Sequence, residues 1–122
     1  MPRLSEFYRS IFDLDRIEDD EHVRTNLDDG YSAPVDFVSD GAVEFHLATK
    51  DVNLSFRMKQ AINPLHNGHF CFRTDDIEGF KKRLDELSIP YADYGVWAMG
   101  NWYQVFLQDP DGNIIEVHQP IK

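Results

Sequence analysis

Two stretches of this chain lie 72 residues apart and repeat each other's chemistry. Asp40-Gly41 followed by Glu44-Phe45-His46 matches Asp111-Gly112 followed by Glu116-Val117-His118, a turn feeding a strand in both places. The helices ahead of them repeat at an offset of 73. Leu4 aligns with Ile77, Phe7 with Phe80, Ile11 with Leu84 and Leu14 with Leu87. Apolar residues at i, i+3, i+4 and i+7 mark an amphipathic helix. The spacing therefore predicts one helix from Pro2 to Leu14 and another between the cap at Thr74-Asp75-Asp76 and the stop at Pro90, with Asp75 and Glu78 as a capping-box pair. A duplicated module of one helix and three strands accounts for most of the chain.

The strands follow from period-two alternation. Val35–Val38, Ala42–Ala48, His69–Arg73, Tyr91–Gly95 and Trp102–Gln108 read as strands, and the last leads through Asp109-Pro110-Asp111-Gly112-Asn113 into Ile114–His118. In that turn Pro sets the corner, and Asp-Gly-Asn tolerates positive φ. A further irregular strand is expected over Val23–Leu27 and another extended segment over Asn53–Ala61. The strand at His69 precedes the second helix, and its counterpart in the first copy would fall ahead of Met1. The first copy is thus expected to lack its opening strand, which leaves a sheet edge or an apolar groove that a partner subunit or an upstream segment would cover.

Parity also separates core from site. Ile115 and Val117 share one strand face, opposite Ile114, Glu116 and His118. Tyr103, Val105 and Leu107 are assigned to the core, and Trp102, Gln104 and Phe106 to the opposite face. Phe7, Ile11, Phe80 and Leu84 are expected to pack on sheet faces carrying Phe70, Phe72, Val43, Ile115 and Val117. A carboxylate such as Glu116 among aliphatics needs solvent or a partner, because burying it alone is costly. Arg73 is one such partner. Glu44 and His46 share a face at a separation that suits a common cation better than a direct bond. Cys71 is expected to be buried and inert, and His118 a solvated strand-end residue.

Charge narrows the ligand classes. Twelve Lys plus Arg against 22 Asp plus Glu give a formal charge of −10, which disfavours nucleic-acid backbones and favours small molecules or metal cations. No apolar run approaches the roughly 20 residues of a membrane span. A lone cysteine and an amphipathic rather than apolar N-terminus predict a cytoplasmic protein without a signal peptide.

Phe7-Tyr8-Arg9-Ser10-Ile11-Phe12-Asp13-Leu14, Gly68-His69-Phe70-Cys71-Phe72, Asp75-Asp76, and Asp109-Pro110-Asp111-Gly112-Asn113 running into Glu116 together resemble the vicinal oxygen chelate superfamily, which spans glyoxalase I, fosfomycin-resistance thiol transferases, bleomycin-resistance proteins and extradiol dioxygenases. The resemblance implies an α+β fold of two βαβββ modules, here 1–66 and 67–122 of a single domain, with sheets curled into a cup and helices outside. It implies a divalent metal (Zn, Mn, Ni, Fe or Co) held by His69, Glu116 and Glu44, with His46 as a further ligand or a replacement for the first-module His that this sequence lacks. Glu116 and Glu44 would be catalytic. Arg73, Trp102, Gln104 and Phe106 would line the substrate pocket. Two activities follow: a metal-dependent lyase, isomerase or thiol transferase acting on a small oxygen-chelating substrate, or a metal-free small-molecule binding protein. Either is expected to be a homodimer. For His69 the plain alternative is a strand histidine bonded to the backbone.

Overall fold

A computed structural model describes residues 2–18 and 34–121. The strand expected over Val23–Leu27 lies outside the described residues. The described elements run α1 (Pro2–Phe12), β1 (Asp15–Arg16), β2 (Val35–Ser39), β3 (Glu44–Ala48), α2 (Leu54–Met58), β4 (Phe70–Arg73), α3 (Ile77–Glu86), β5 (Tyr91–Val96), β6 (Trp102–Gln108) and β7 (Ile114–Pro120). The fold is α+β with two sheets. One is β1-β2-β3, antiparallel throughout; the other is β4-β7-β6-β5, with β4 parallel to β7 and the remaining pairs antiparallel. The second half is a complete βαβββ module, and the first reads αβββ among the described residues.

The β6–β7 hairpin carries the register. Trp102 pairs with Pro120, Gln104 with His118, Phe106 with Glu116 and Gln108 with Ile114. Its turn is built on Asp109, whose carboxylate accepts from the backbone N–H of Asn113 at 2.8 Å and of Asp111 at 3.0 Å, and from Asn113 Nδ2 at 2.8 Å. Gly112 takes the left-handed position at φ +86°, where residues with a Cβ are strained. On one face of this sheet Ile77, Val105 and Val117 form a buried cluster, with Phe80, Tyr91, Tyr103, Leu107 and Ile115 packed around it. Lys81 ties α3 down across the sheet, donating to Tyr103 Oη at 2.8 Å and Asp93 Oδ2 at 3.0 Å.

Two clusters join the sheets. Leu54, Ile62, Ala92, Tyr94, Trp97 and Phe106 form one, with Val35 and Ala48 against them. Phe37, Met99 and Trp102 form the other. The opposite faces of both sheets therefore meet near Trp102 and Phe106.

Several expectations are corrected. The segment Asn53–Ala61 is not extended: it forms the short helix α2, which inserts the fully buried Leu54 into the inter-sheet core. An Asp51–Arg57 ion pair closes it, and Lys59 ends it in the left-handed conformation. The cap of α3 is Asp76 rather than Asp75, its side chain accepting from the Gly79 N–H at 3.0 Å. Most informative is α1. Its inward line is Ser5 and Tyr8, with Tyr8 packed on Leu14, Val38 and Leu47. Leu4, Phe7 (52 % exposed), Ile11 and Phe12 face outward, as do Val43, Phe70 and Phe72 (64 % exposed). The predicted packing of Phe7 and Ile11 on the sheets is absent, and Leu87 is exposed too. Amphipathic spacing identifies an apolar stripe but not what covers it.

Two outcomes test this description. Leu84 is buried, so Leu84→Ala should cost about 2–5 kcal/mol in denaturant unfolding. A cost near zero would move α3 off the sheet. The Asp109 carboxyl is held below its ordinary range by the bonds from Asn113 and the turn N–H groups. A depressed folded value stabilises above the unfolded one, near 3.9, and that contribution fades as pH falls through the folded value. Asp109→Ala should lower the melting temperature at neutral pH, with the gap to the wild type closing below about pH 4.

Candidate functional site

Strand parity brings the site together. Glu116 and His118 sit two residues apart on β7, on the face opposite Ile115 and Val117, and Cys71 pairs with Glu116, Arg73 with His118, across the parallel β4–β7 ladder. Gln104 faces His118 from β6. His69 lies immediately before β4. Glu116 and His118 are only 6 % and 5 % exposed.

The buried carboxylate is heavily bonded. Glu116 Oε2 lies 2.8 Å from His118 Nδ1 and accepts from Gln104 Nε2 at 3.3 Å, while Oε1 lies 3.1 Å from His69 Nε2. Burial alone would push this carboxyl up. The contacts with His118 and His69 outweigh burial and hold it well below the usual carboxylate range. The two imidazoles thus favour its ionised form.

His69 Nδ1 lies 2.9 Å from the Pro64 carbonyl oxygen. A carbonyl can only accept, so Nδ1 carries a proton. In a neutral ring, Nε2 is then a bare lone pair pointing at an anionic oxygen 3.1 Å away. Two electron-rich atoms at that distance require a positive charge between them, either a second ring proton or a metal cation. Backbone bonding at one nitrogen with the other aimed into the site is how metal-ligating histidines are oriented. The backbone-bonded alternative for His69 is thus also present, through the other nitrogen.

His118 does not lie in solvent as a strand-end residue; pairing of β7 between β4 and β6 buries it. Arg73 Nε donates to His118 Nε2 at 3.1 Å, so Arg73 bonds this ring, and the contacts above place His118, Gln104 and His69 about Glu116. Cys71 sits at the open β4 edge with its thiol turned inward, Sγ 2.9 Å from His118 Nδ1. Burial, and next the charge of Glu116, push that thiol far up from its ordinary range. Cys71, Glu116 and His118 offer donor atoms all within 4.8 Å of one another. Sequence reasoning passed over Cys71 and His118 as a pair; their shared parity with Glu116 was the available signal.

The first repeat contributes a second carboxylate–imidazole pair. Glu44 Oε1 and His46 Nε2 are 3.1 Å apart, so they bond directly, because these long side chains lean toward each other along the strand. Trp102 separates the two pairs. His46 stacks on the indole at 5.4 Å and 25°, and His118 at 4.1 Å and 14°. Arg73 lies over the same ring at 5.3 Å, within cation–π range. Phe106 meets His69 edge-on at 5.5 Å. Trp102, Gln104 and Phe106 are buried, whereas Arg73 is exposed.

The two sheets bring two carboxylate–imidazole pairs against the ring of Trp102. The chain belongs to the Glyoxalase/Bleomycin resistance protein/Dioxygenase superfamily, whose family model matches residues 1–117. A superfamily member from Vibrio splendidus 12B01 has a similar structure, with 15 % identity, 97 % of this chain and 88 % of that chain covered, and a TM-score of 0.56. A lactoylglutathione lyase from Agrobacterium tumefaciens is 30 % identical over 94 % of this chain and 81 % of that chain, with a TM-score of 0.38. An antibiotic binding protein from Streptomyces sp. CB03234 is 23 % identical over 94 % and 82 %, with a TM-score of 0.36. No curated protein matches the chain. Among the described residues no helix is long and apolar enough to cross a membrane.

Proposed function

We propose that this protein is a divalent-metal-dependent enzyme of the lyase, isomerase or thiol-transferase kind, acting on a small oxygen-chelating substrate in the cup. The observation that supports this reading is the His69–Glu116 contact at 3.1 Å, with the ring's other nitrogen tied to the Pro64 carbonyl. The donor set of imidazole and carboxylate suits Zn, Mn, Ni, Fe or Co. When bound, the metal would polarise a substrate oxygen as a Lewis acid. His69 and Glu116 hold it; Glu44 and His46 face the cup from the other repeat and extend the donor set. Glu116, kept ionised, and Glu44 are the groups available to accept a substrate proton. Arg73 offers an anion-binding guanidinium beside the Trp102 ring, and Gln104 and Phe106 wall the pocket. The chain acts as one domain, with modules over 1–66 and 67–122, in the cytoplasm.

The second reading, a metal-free binding protein, draws on the same pocket: stacked Trp102 with a cation over it suits a flat ligand. It predicts ligand binding insensitive to chelators. The metal reading predicts that Zn, Mn, Ni or Co stabilises the wild type, by about 2.7 kcal/mol at a hundredfold excess over the dissociation constant, and so raises its thermal midpoint. His69→Ala should lose most of that shift. If the two proteins respond equally to every metal, the enzyme reading fails and the imidazolium–carboxylate pair is structural.

We further propose a symmetric homodimer. Leu4, Phe7, Ile11 and Phe12 on α1, with Phe45 stacked near them through Tyr8, and Phe70 and Phe72 on β4, leave apolar surface beside β3 and β4, which end the sheets among the described strands. An isologous contact covers such surface twice over. Light scattering at low micromolar concentration should report a dimer for the wild type and a folded monomer for Phe72→Glu. A well-behaved wild-type monomer would remove the dimer.

A further inference from the structure

We propose that Cys71 joins Glu116 and His118 as a thiolate ligand, so that the site selects borderline-to-soft ions such as Zn(II) and Co(II) over Mn(II) and Mg(II). The inference rests on the metal reading above and adds Cys71 and His118, on the Oε2 side of Glu116, to His69 on its Oε1 side. Sulfur, oxygen and nitrogen donors all lie within 4.8 Å of one another, with His118 Nδ1 at 2.9 Å from Cys71 Sγ and 2.8 Å from Glu116 Oε2. Ligand softness is what separates these ions, since thiolate favours zinc while carboxylate and water suit magnesium and manganese.

Proton counting sharpens the point. Arg73 Nε donates to His118 Nε2, so a neutral His118 carries its one proton on Nδ1. That proton serves Glu116 Oε2, the nearer and charged acceptor. The Cys71 thiol has the Glu116 carboxylate and, at 3.7 Å, the Phe72 carbonyl as acceptors, and its Sγ sits 2.9 Å from His118 Nδ1. Three potential donor atoms thus converge on one space. Gln104 supplies an independent observation. Its Nε2 is engaged by Glu116, while its Oε1, 5 % exposed as a residue, has no hydrogen-bond partner among the described residues. An oriented, buried amide oxygen beside the cluster is what an oxygen-accepting cation would use, directly or through a water.

Loading conserves protons as follows. The Cys71 thiol loses its proton to solvent as the sulfur–metal bond forms. The proton on His118 Nδ1 passes to Nε2 as the metal takes the Nδ1 lone pair. Arg73 Nε must then leave Nε2, since both are donors, and the guanidinium keeps its place over Trp102. One proton is released per metal bound.

The test uses Co(II) added to the full chain, comparing wild type with Cys71→Ser and His69→Ala. The wild type should show visible ligand-field bands together with near-ultraviolet thiolate-to-cobalt charge transfer. Cys71→Ser, whose fold is checked by circular dichroism, should keep the former and lose the latter. Its preference for Zn over Mn should fall by on the order of tenfold or more, as even outer-shell changes cost that much. Because Cys71 is the only cysteine, iodoacetamide labelling reads this residue alone, and Zn should slow it severalfold. Ligand-field bands without charge transfer, and labelling unaffected by Zn, would overturn Cys71 as a ligand while leaving the metal reading intact. No cobalt spectrum and no thermal shift with any metal would overturn both.

Discussion

A charge buried on strand β7 organises this structure. Glu116 stays ionised at 6 % exposure, and an uncompensated carboxylate there would cost several kcal/mol. The surrounding elements supply the compensation: β7 itself contributes His118, β6 contributes Gln104, and the segment entering β4 contributes His69. The parallel β4–β7 ladder exists in the register that puts Cys71 opposite Glu116 and Arg73 opposite His118. A shift of one residue would turn the polar set into the Val105–Val117 core. The hairpin turn at Asp109 and the buried anion thus specify the same pairing from two ends of one strand.

Much of this was legible in the amino-acid order. Alternation along 114–118 separated Ile115 and Val117 from Glu116 and His118, whereas the helix match put Leu4 and Ile11 on the buried line of Ile77 and Leu84, and both face outward. Other features were not legible, for physical reasons. Asn53–Ala61 has no long periodicity, and its helix exists because Leu54 fills an inter-sheet hole and Arg57 reaches Asp51. Tertiary packing overrode local pattern there. The packing partner of α1 depends on which face the sheet offers, and Tyr8 rather than Phe7 met it. His118 looked like a strand end because burial by neighbouring strands is a property of sheet order, which a single strand's sequence does not carry.

The two carboxylate–imidazole pairs sit in different surroundings. Glu44 and His46 in the first half repeat Glu116 and His118 in the second, yet the first pair is exposed while the second is buried and shared among four side chains. The difference follows from the sheets. In the second half β7 is central, flanked by β4 and β6, whereas in the first β3 is an edge among the described strands. Position in the sheet, more than residue identity, decides which copy becomes the tightly held centre.

The indole between these pairs gives the protein an optical property. Trp102 is one of two tryptophans, and imidazoles from both repeats lie against its ring, with a guanidinium above it. Trp97 sits instead in the apolar inter-sheet cluster. A cation or anion bound among these imidazoles would change the charge pressed against one chromophore and leave the other in hydrocarbon. Binding there would therefore register in the intrinsic fluorescence of the chain, without a label.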